Sequence, residues 1–141
     1  MIDPEILRKA QLIMLDMLIE FDAICKKHQL QYWLDSGTLL GAVRHQGFIP
    51  WDDDIDLAMP IEDYRKFLEI AKSELSSEIF LQTSETDENF KFDYIKLRSN
   101  KARIVEFHEK DKQIKYHQGV FVDIFPMMVI ENTEENKALY D

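Results

Sequence analysis

The chain has 141 residues, of which 45% are hydrophobic and 31% are charged, and its formal net charge at pH 7 is −10. This composition indicates one folded globular domain over residues 1–141 and excludes a disordered or collagen-like chain. A surface this acidic repels nucleic acid, so no nucleic acid partner is expected, and a phosphate site needs a cation or a focused set of Arg and Lys.

The expected location follows from the first residues, the apolar runs and the cysteine count. Residues 1–11 lack the basic start and apolar centre of a secretory signal, and no apolar run reaches the ~20 residues that cross a bilayer. The single Cys25 cannot form an internal disulfide, which fits a reducing compartment. We expect a cytoplasmic protein without a transmembrane segment, either free or at the inner face of the membrane.

The first predicted element is a long amphipathic helix over residues 1–28. Asp3 is a favourable N-cap, and Pro4 suits the first helical position, where its missing N–H costs nothing. Apolar residues then recur at helical spacing from Ile6 to Cys25. This stripe predicts a helix that packs one face on the core.

Residues 31–127 are predicted to form the core of an α+β fold. The predicted elements are a strand at 31–34, a helix at 39–44 that begins at Ser36 or Thr38, a strand at 55–59, a helix after Pro60, and strands at 79–82, 90–98, 102–107 and 120–125. A polar turn is expected at Ser99–Asn100, and residues 131–141 look like the start of another helix. This order favours a mixed β-sheet with flanking helices.

The most unusual stretch holds four carboxylates in five positions, Asp52, Asp53, Asp54 and Asp56. On a strand, Asp52, Asp54 and Asp56 would share one face and repel one another. Their neighbours are apolar, so partial burial would require cations, and Mg²⁺ is expected because it takes oxygen ligands and keeps positions open for phosphates. Mn²⁺ could replace it. The alternatives are a solvated turn or a Ca²⁺ loop, although the Gly and Glu spacing of an EF-hand is missing.

A further carboxylate, Asp123, lies inside Val120–Phe125, the most hydrophobic predicted strand. A charge within such a run is costly unless it has a partner. Two-metal phosphoryl-transfer sites place their ions ~3.5–4 Å apart, and a third acid from elsewhere commonly joins them. We therefore expect Asp54, Asp56 and Asp123 to bind one or two Mg²⁺ ions, with Asp123 on a neighbouring strand.

A small-residue turn, Ser36-Gly37-Thr38, separates a predicted strand from a predicted helix. Backbone N–H groups at a helix N-terminus can bind a phosphate, and Gly37 permits close approach of the backbone. The same turn also fits a plain helix cap. Its meaning therefore depends on the acids that follow.

Three segments together are similar to the LicD family. They are Tyr32–His45, Ile49–Asp56 and Val122–Pro126, and the resemblance extends over roughly residues 20–127. The family contains phosphocholine transferases of bacterial surface glycans, with fukutin-related proteins as animal relatives. It is part of the nucleotidyltransferase superfamily that includes DNA polymerase beta. The resemblance implies a nucleotidyltransferase-like mixed β-sheet flanked by helices.

The resemblance also implies a reaction. Phosphocholine, or a similar phospho-alcohol, passes from a cytidine diphosphate (CDP) donor such as CDP-choline to a sugar or glycan precursor of lipopolysaccharide or teichoic acid, and cytidine monophosphate (CMP) is released. The family's functional positions correspond to Asp54 and Asp56 as the Mg²⁺ pair, Asp123 as the third carboxylate, Asp52 as an additional acid, and Gly37 and Thr38 as the phosphate-binding turn.

Two departures from the family pattern are visible. The gap between Gly37 and Asp54 is longer than in the broad superfamily, although it is typical of the LicD group. The chain is also expected to lack the C-terminal extension that LicD-like proteins usually carry.

Arg44, Lys96 and Arg98 are the cations expected near the donor phosphates, where they would neutralise charge in the transition state. Each could instead be a surface cation that balances the acids. No separate basic patch accompanies them in the sequence.

Further candidates for substrate contact are His45, Trp51, His117 and Gln118. His45 could deprotonate the acceptor hydroxyl, although Asp123 is the better candidate base. Trp51 could bind a choline ammonium by a cation–π contact, whereas Trp33 is expected in the core.

Two other functions stay open. One is a catalytically silent nucleotide- or phosphate-binding module of the same fold, and the other is a nucleotidyltransferase that acts on a small molecule. The complete set of Asp54, Asp56 and Asp123 favours the phosphotransferase.

Overall fold

The computed structural model describes residues 2–140, including the side chains of all these residues except Phe107 and Tyr140. The elements are α1 (Pro4–His28), β1 (Trp33–Leu34), α2 (Ser36–His45), β2 (Asp56–Pro60), α3 (Ile61–Glu74), β3 (Ile79–Gln82), β4 (Ile95–Arg103), a 3-10 turn (Phe107–Glu109), β5 (Gly119–Met127) and α4 (Glu134–Tyr140).

One mixed sheet organises the chain, with the strand order β1-β2-β5-β4-β3. Strands β2 and β5 are parallel, and every other neighbouring pair is antiparallel. The mixed sheet, the flanking helices and the long first helix confirm the predicted α+β class. Within residues 2–140, no helix is long and apolar enough to cross a membrane.

Helix α1 forms where the sequence predicts it. The Asp3 carboxylate accepts hydrogen bonds from the backbone N–H groups of Glu5 and Ile6, at 2.8 and 3.3 Å. Gln29 ends the helix in the left-handed region, with φ 56°. Both ends thus satisfy backbone groups that a helix terminus leaves without partners.

The core lies on one face of the sheet, where α1 and α3 pack side by side. Phe21 of α1 meets Phe67 of α3 edge to face, with ring centroids 4.9 Å apart. Strand side chains that join this core include Leu57, Val122 and Leu97. Because side chains alternate along a strand, the residues next to these point to the opposite face. That opposite face carries the acids of β2 and β5.

Several predicted boundaries are wrong. No separate strand occupies 102–107: β4 runs through Ser99–Asn100, where a turn was expected, and ends at Arg103. The pairing register of β4 with β5 shifts between Arg98 and Arg103, which marks an irregularity. A Cβ at Gly119 would lie 1.9 Å from the Ser99 carbonyl oxygen, so the strands approach closely there. This tertiary pairing overrides the local turn preference.

Smaller differences occur near the first strand. Helix α2 spans Ser36–His45 with Asp35 as its N-cap, so neither Ser36 nor Thr38 caps it. Trp33 is 43% exposed rather than part of the core. Residues 52–55 lie outside the strands, and β2 starts only at Asp56. The expected alternation of acids on one strand face is therefore wrong for this stretch.

Candidate active site

The β1–α2 turn is tied to the first residue of β2. Asp56 donates its backbone N–H to the Thr38 hydroxyl oxygen at 2.9 Å, and Asp35 donates its own to the Asp56 carbonyl at 2.9 Å. Ser36 adopts a left-handed conformation with φ 49°, which is uncommon for a residue other than glycine and is often found where a ligand binds. The turn and Asp56 thus form one rigid unit.

Three charged side chains lie in a row across the centre of the sheet. Asp56 is the register partner of Asp123 on parallel strands, and Asp123 is the register partner of Lys96 on the other side. Lys96 donates to an Asp123 carboxylate oxygen at 2.7 Å, and both side chains are almost fully buried. One cation therefore faces a larger group of acids.

The acids differ from ordinary carboxyl groups in their pKa values. Burial, followed by the negative charge of Asp56, raises the pKa of Asp54 to about 7. Burial, followed by the charge of Asp123, raises the pKa of Asp56 to about 6. Burial also raises the pKa of Asp123, although the Lys96 ammonium opposes this. The shifts show that these charges are poorly compensated by the residues around them.

Asp52 adds a carboxylate whose Oδ2 is buried and has no hydrogen-bond partner among the described residues. This oxygen faces the first turn of α2, which we term the α2 turn, because a Cβ added to Gly37 would lie 3.0 Å from it. Glycine at this position leaves space for the carboxylate. A buried oxygen without a donor is a costly feature unless something else binds it.

These residues fit a divalent cation. Carboxylate oxygens are the ligands that Mg²⁺ and Mn²⁺ take, and the buried Asp52 oxygen is free to supply one. One oxygen from each of Asp52, Asp53 and Asp54 already lies within 4.8 Å of the other two. Within residues 2–140, Asp54, Asp56 and Asp123 do not form so tight a group. The acids extend from the loop over residues 52–55, which we term the acidic loop, to Asp56 and Asp123 in the sheet.

The predicted phosphate-binding cations occupy different environments. Lys96 is 5% exposed, and its ammonium lies 3.6 Å from the centroid of the Phe121 ring. Arg98 is 1% exposed and donates to the Gln82 side-chain oxygen and the Gly119 carbonyl, each at 2.8 Å. Arg44 is exposed in the last turn of α2. The three are therefore not a single cluster.

The other candidates for substrate contact also lie apart. His45 and Trp51 are exposed neighbours near the acidic loop, with ring centroids 6.2 Å apart. His117 and Gln118 precede β5 at its far end, roughly 17–20 Å along the strand from Asp123 at ~3.3 Å per residue. His117 stacks on Phe80, with ring centroids 4.9 Å apart. The first two lie near the acids, and the last two belong to another part of the sheet.

A cleft of about 710 Å³, which the sequence analysis does not predict, opens beside Asp54. Its walls come from the start of α1, from the segment after β4 and from β5, and include Ile6, Val105, Lys110 and Phe121. Its volume is within the range of small-molecule sites. The charged residues around Lys110 are the sequence signal for a surface segment in this region.

The acids of the candidate site lie within a region that matches a known protein family. The family model described as LicD/FKTN/FKRP, nucleotidyltransferase domain, matches residues 29–141. The lipopolysaccharide cholinephosphotransferase LicD of Haemophilus influenzae is 43% identical over 79 residues, which are 56% of this chain and 30% of that protein.

Two animal proteins are also similar. Ribitol 5-phosphate transferase FKRP of Homo sapiens is 56% identical over 34 residues, which are 24% of this chain and 7% of that protein. Ribitol-5-phosphate transferase FKTN of Mus musculus is 29% identical over 79 residues, which are 56% of this chain and 17% of that protein. The matched regions cover less than a third of the length of these relatives.

Proposed function

The chain belongs to the LicD family, and we propose that it transfers phosphocholine, or a similar phospho-alcohol, from a CDP-activated donor to a sugar hydroxyl of a cell-surface glycan in a Mg²⁺-dependent reaction. The observation that carries this proposal is the pairing of Asp56 with Asp123 across parallel strands. The names of the relatives, a cholinephosphotransferase and ribitol 5-phosphate transferases, support a phospho-alcohol as the transferred group. A cytoplasmic location stays a prediction.

Asp54, Asp56 and Asp123 would hold Mg²⁺ or Mn²⁺, with Asp52 as a further ligand. When bound, the ion neutralises charge on the donor diphosphate and on the departing CMP. The raised pKa values of Asp54 and Asp56 support this role, because acids that repel one another near neutral pH are stabilised by a cation. Lys96 keeps Asp123 in place through their 2.7 Å ion pair.

The α2 turn would bind the donor phosphates. Gly37 and Thr38 lie in the first turn of α2, whose free N–H groups favour an anion. The Thr38 hydroxyl accepts from Asp56, and a hydroxyl that accepts one bond still has a proton to donate. The left-handed Ser36 fixes the direction in which the helix starts.

In the proposed transfer, one bond to phosphorus forms and another breaks. The acceptor hydroxyl oxygen forms a bond to the phosphorus that carries the alcohol. The bond from that phosphorus to the bridging oxygen breaks, and CMP leaves with the electron pair. The hydroxyl proton passes to a carboxylate, for which Asp123 is our candidate because its pKa is raised by burial. The cleft beside Asp54 has space for the sugar or for the nucleoside.

The test measures CMP release from CDP-choline and, in parallel, from CDP-ribitol, with Mg²⁺ or with EDTA. We expect CMP release that requires the divalent cation and that is faster with one of the two donors. The preferred donor would identify the transferred alcohol.

Two results would favour other functions. If the protein bound CDP-choline but released no CMP even when sugar acceptors were supplied, it would be a silent binding module. If it released pyrophosphate from a nucleoside triphosphate instead, it would be a nucleotidyltransferase acting on a small molecule.

A further inference from the structure

Helix α1 carries one buried amide on its apolar face. Gln11 is 2% exposed and lies between Leu7 and Met14, which are buried on the same side of the helix. An amide buried at such a position costs free energy unless its donors and acceptor are bonded. Its hydrogen bonds therefore indicate why a polar residue is present.

Those hydrogen bonds run to the loop that carries the acids. The Gln11 Nε2 donates to the Asp52 carbonyl oxygen at 2.8 Å and, more weakly, to the Pro50 carbonyl oxygen at 3.4 Å. The Gln11 Oε1 accepts from an Arg8 guanidinium N–H at 3.1 Å. Because Arg8 can only donate, this contact fixes which end of the amide faces the loop.

The loop is anchored at its end, because Ile55 is buried in the core and its carbonyl accepts from the Asp123 N–H at 2.9 Å. At Asp52, apart from the Gln11 contact, the backbone is held by one turn bond, from its N–H to the Ile49 carbonyl at 2.9 Å. The Asp52 side chain extends from this backbone toward Gly37, and Asp54 follows two residues later. A shift of the Asp52 carbonyl would therefore move both carboxylates relative to Asp56, which is fixed in the sheet.

We propose that Gln11 is a positioning residue for the metal site: its amide holds the acidic loop so that Asp52 and Asp54 present their oxygens to the same divalent cation as Asp56. This inference rests on the proposed function. It also makes α1 a part of the active site, although the family match begins at residue 29.

The test is the affinity of the whole chain for Mn²⁺ alone, measured by titration calorimetry at about pH 8, above the pKa of about 7 for Asp54. Gln11→Met replaces the amide with an apolar side chain of similar length. We expect it to raise the Kd for Mn²⁺ roughly 10- to 100-fold, as loss of an outer contact to metal ligands commonly does. Arg8→Met should cause a smaller rise, roughly three- to five-fold, because only the orientation of the amide is released.

Met14→Ala is the matched control, because Met14 is buried on the same face and has no polar contact with the loop. It should lower the melting temperature at least as much as Gln11→Met while leaving the Kd for Mn²⁺ unchanged. Asp54→Asn should weaken Mn²⁺ binding strongly and so identifies the titrated site.

Two results would overturn the inference. If Gln11→Met bound Mn²⁺ as tightly as the wild type, Gln11 would be a structural residue and the proposed function would stand. If the wild type bound no Mn²⁺, the metal site itself would be wrong, and the inference would fail with the proposed function.

Discussion

The two ends of the β4–β5 pair bury charged side chains in different ways. At one end, which we term the acidic end, Lys96 faces Asp123, Asp56 and the acidic loop, and the pKa values of the acids are raised. At the other, the anchored end, Arg98 bonds to Gln82 and to the Gly119 carbonyl.

The anchored end provides hydrogen-bond partners for its charges within the chain, while burial lowers the pKa of Arg98. Burial tends to raise the pKa of Glu109, but hydrogen bonds from Tyr116, from the Glu106 N–H and from Gln118 outweigh it, so the pKa lies below its usual value. The acidic end has no comparable set of donors within residues 2–140, and it contains the Asp52 oxygen without a partner. Buried polar groups whose hydrogen bonds are complete stabilise the fold. Buried carboxylates that lack hydrogen-bond donors or cations indicate a binding site for a ligand.

The largest expected effect is a loss of activity, without a loss of stability, when an acid of the acidic end is replaced. Asp56→Asn removes one charge from the acidic end but keeps the shape of the side chain. We expect CMP release to fall roughly 10³-fold, or about 4 kcal/mol in the activation barrier, because the ion loses a charged ligand. The free energy of unfolding should stay equal or increase, since Asp56 is repelled by its neighbours.

Steady-state CMP release and urea unfolding test this variant together. Retained activity would show that Asp56 is not a metal ligand. Loss of the fold would instead show that Asp56 has a structural role, as the residues of the anchored end do.

The next effect concerns stability at the anchored end. Gln82→Leu removes the oxygen that accepts from Arg98 and the amide that donates to Asp87 and His117. Because a buried guanidinium would lose a partner, we expect the free energy of unfolding to fall by about 2–3 kcal/mol. CMP release per folded molecule should change less than about two-fold, since within residues 2–140 the Gln82 side chain hydrogen-bonds to no residue of the acidic end. A large change in turnover at equal folding would assign Arg98 to the donor site.

A third effect depends on pH. The folded pKa values of Asp54 and Asp56, about 7 and about 6, lie above the ordinary Asp value of 3.8. The stability that these groups contribute is therefore complete below about pH 4 and is lost as the pH rises through 6 and 7. Without divalent cations, we expect the acidic end to lower the free energy of unfolding by roughly 2 kcal/mol between about pH 5 and pH 8, allowing for solvent screening.

Urea unfolding in EDTA and in MgCl₂ measures this dependence. Mg²⁺ at about 100 times its Kd should add about 2.7 kcal/mol at pH 8 and less at pH 5, where the acids bind protons. In Asp54→Asn the pH dependence should be weaker. Equal stability at both pH values in EDTA would mean that the acids are better compensated than their surroundings indicate.

The smallest effect is expected at the rim of the site. Trp51 is 76% exposed, so Trp51→Ala should change the free energy of unfolding by less than about 0.5 kcal/mol. If its ring contacts the choline ammonium, the KM for CDP-choline should rise roughly two- to ten-fold, with little change for CDP-ribitol, which has no cation. Equal changes for both donors would exclude the cation–π role.

The sequence predicted well where local chemistry decides the structure. Asp3 and Pro4 mark the start of α1, and the apolar spacing gives its buried face. The adjacency of Asp56 and Asp123 could be anticipated, because an acid inside a strongly apolar strand needs a partner from elsewhere. Their role as metal ligands stays a prediction.

Other features depend on contacts between distant segments. Ser99 and Asn100 favour a turn, yet β4 continues through them because Ser99 pairs with Ile79 of β3 and Arg103 pairs with Gly119 of β5. Gln11 resembles any polar residue of a helix until the Asp52 carbonyl is seen beside it. Pattern and propensity do not contain such contacts, so sequence reasoning could not find them.

The parallel pairing of β2 with β5 has a consequence for biogenesis. Lys96 and Asp123 lie on neighbouring antiparallel strands, but Asp56 reaches them only after β2 has joined across a long intervening segment. During synthesis, the ribosome releases β5 last of the five strands, so a nascent chain cannot assemble the complete set of acids before then. Binding of an ion by the complete set of acids would therefore report that the sheet has closed.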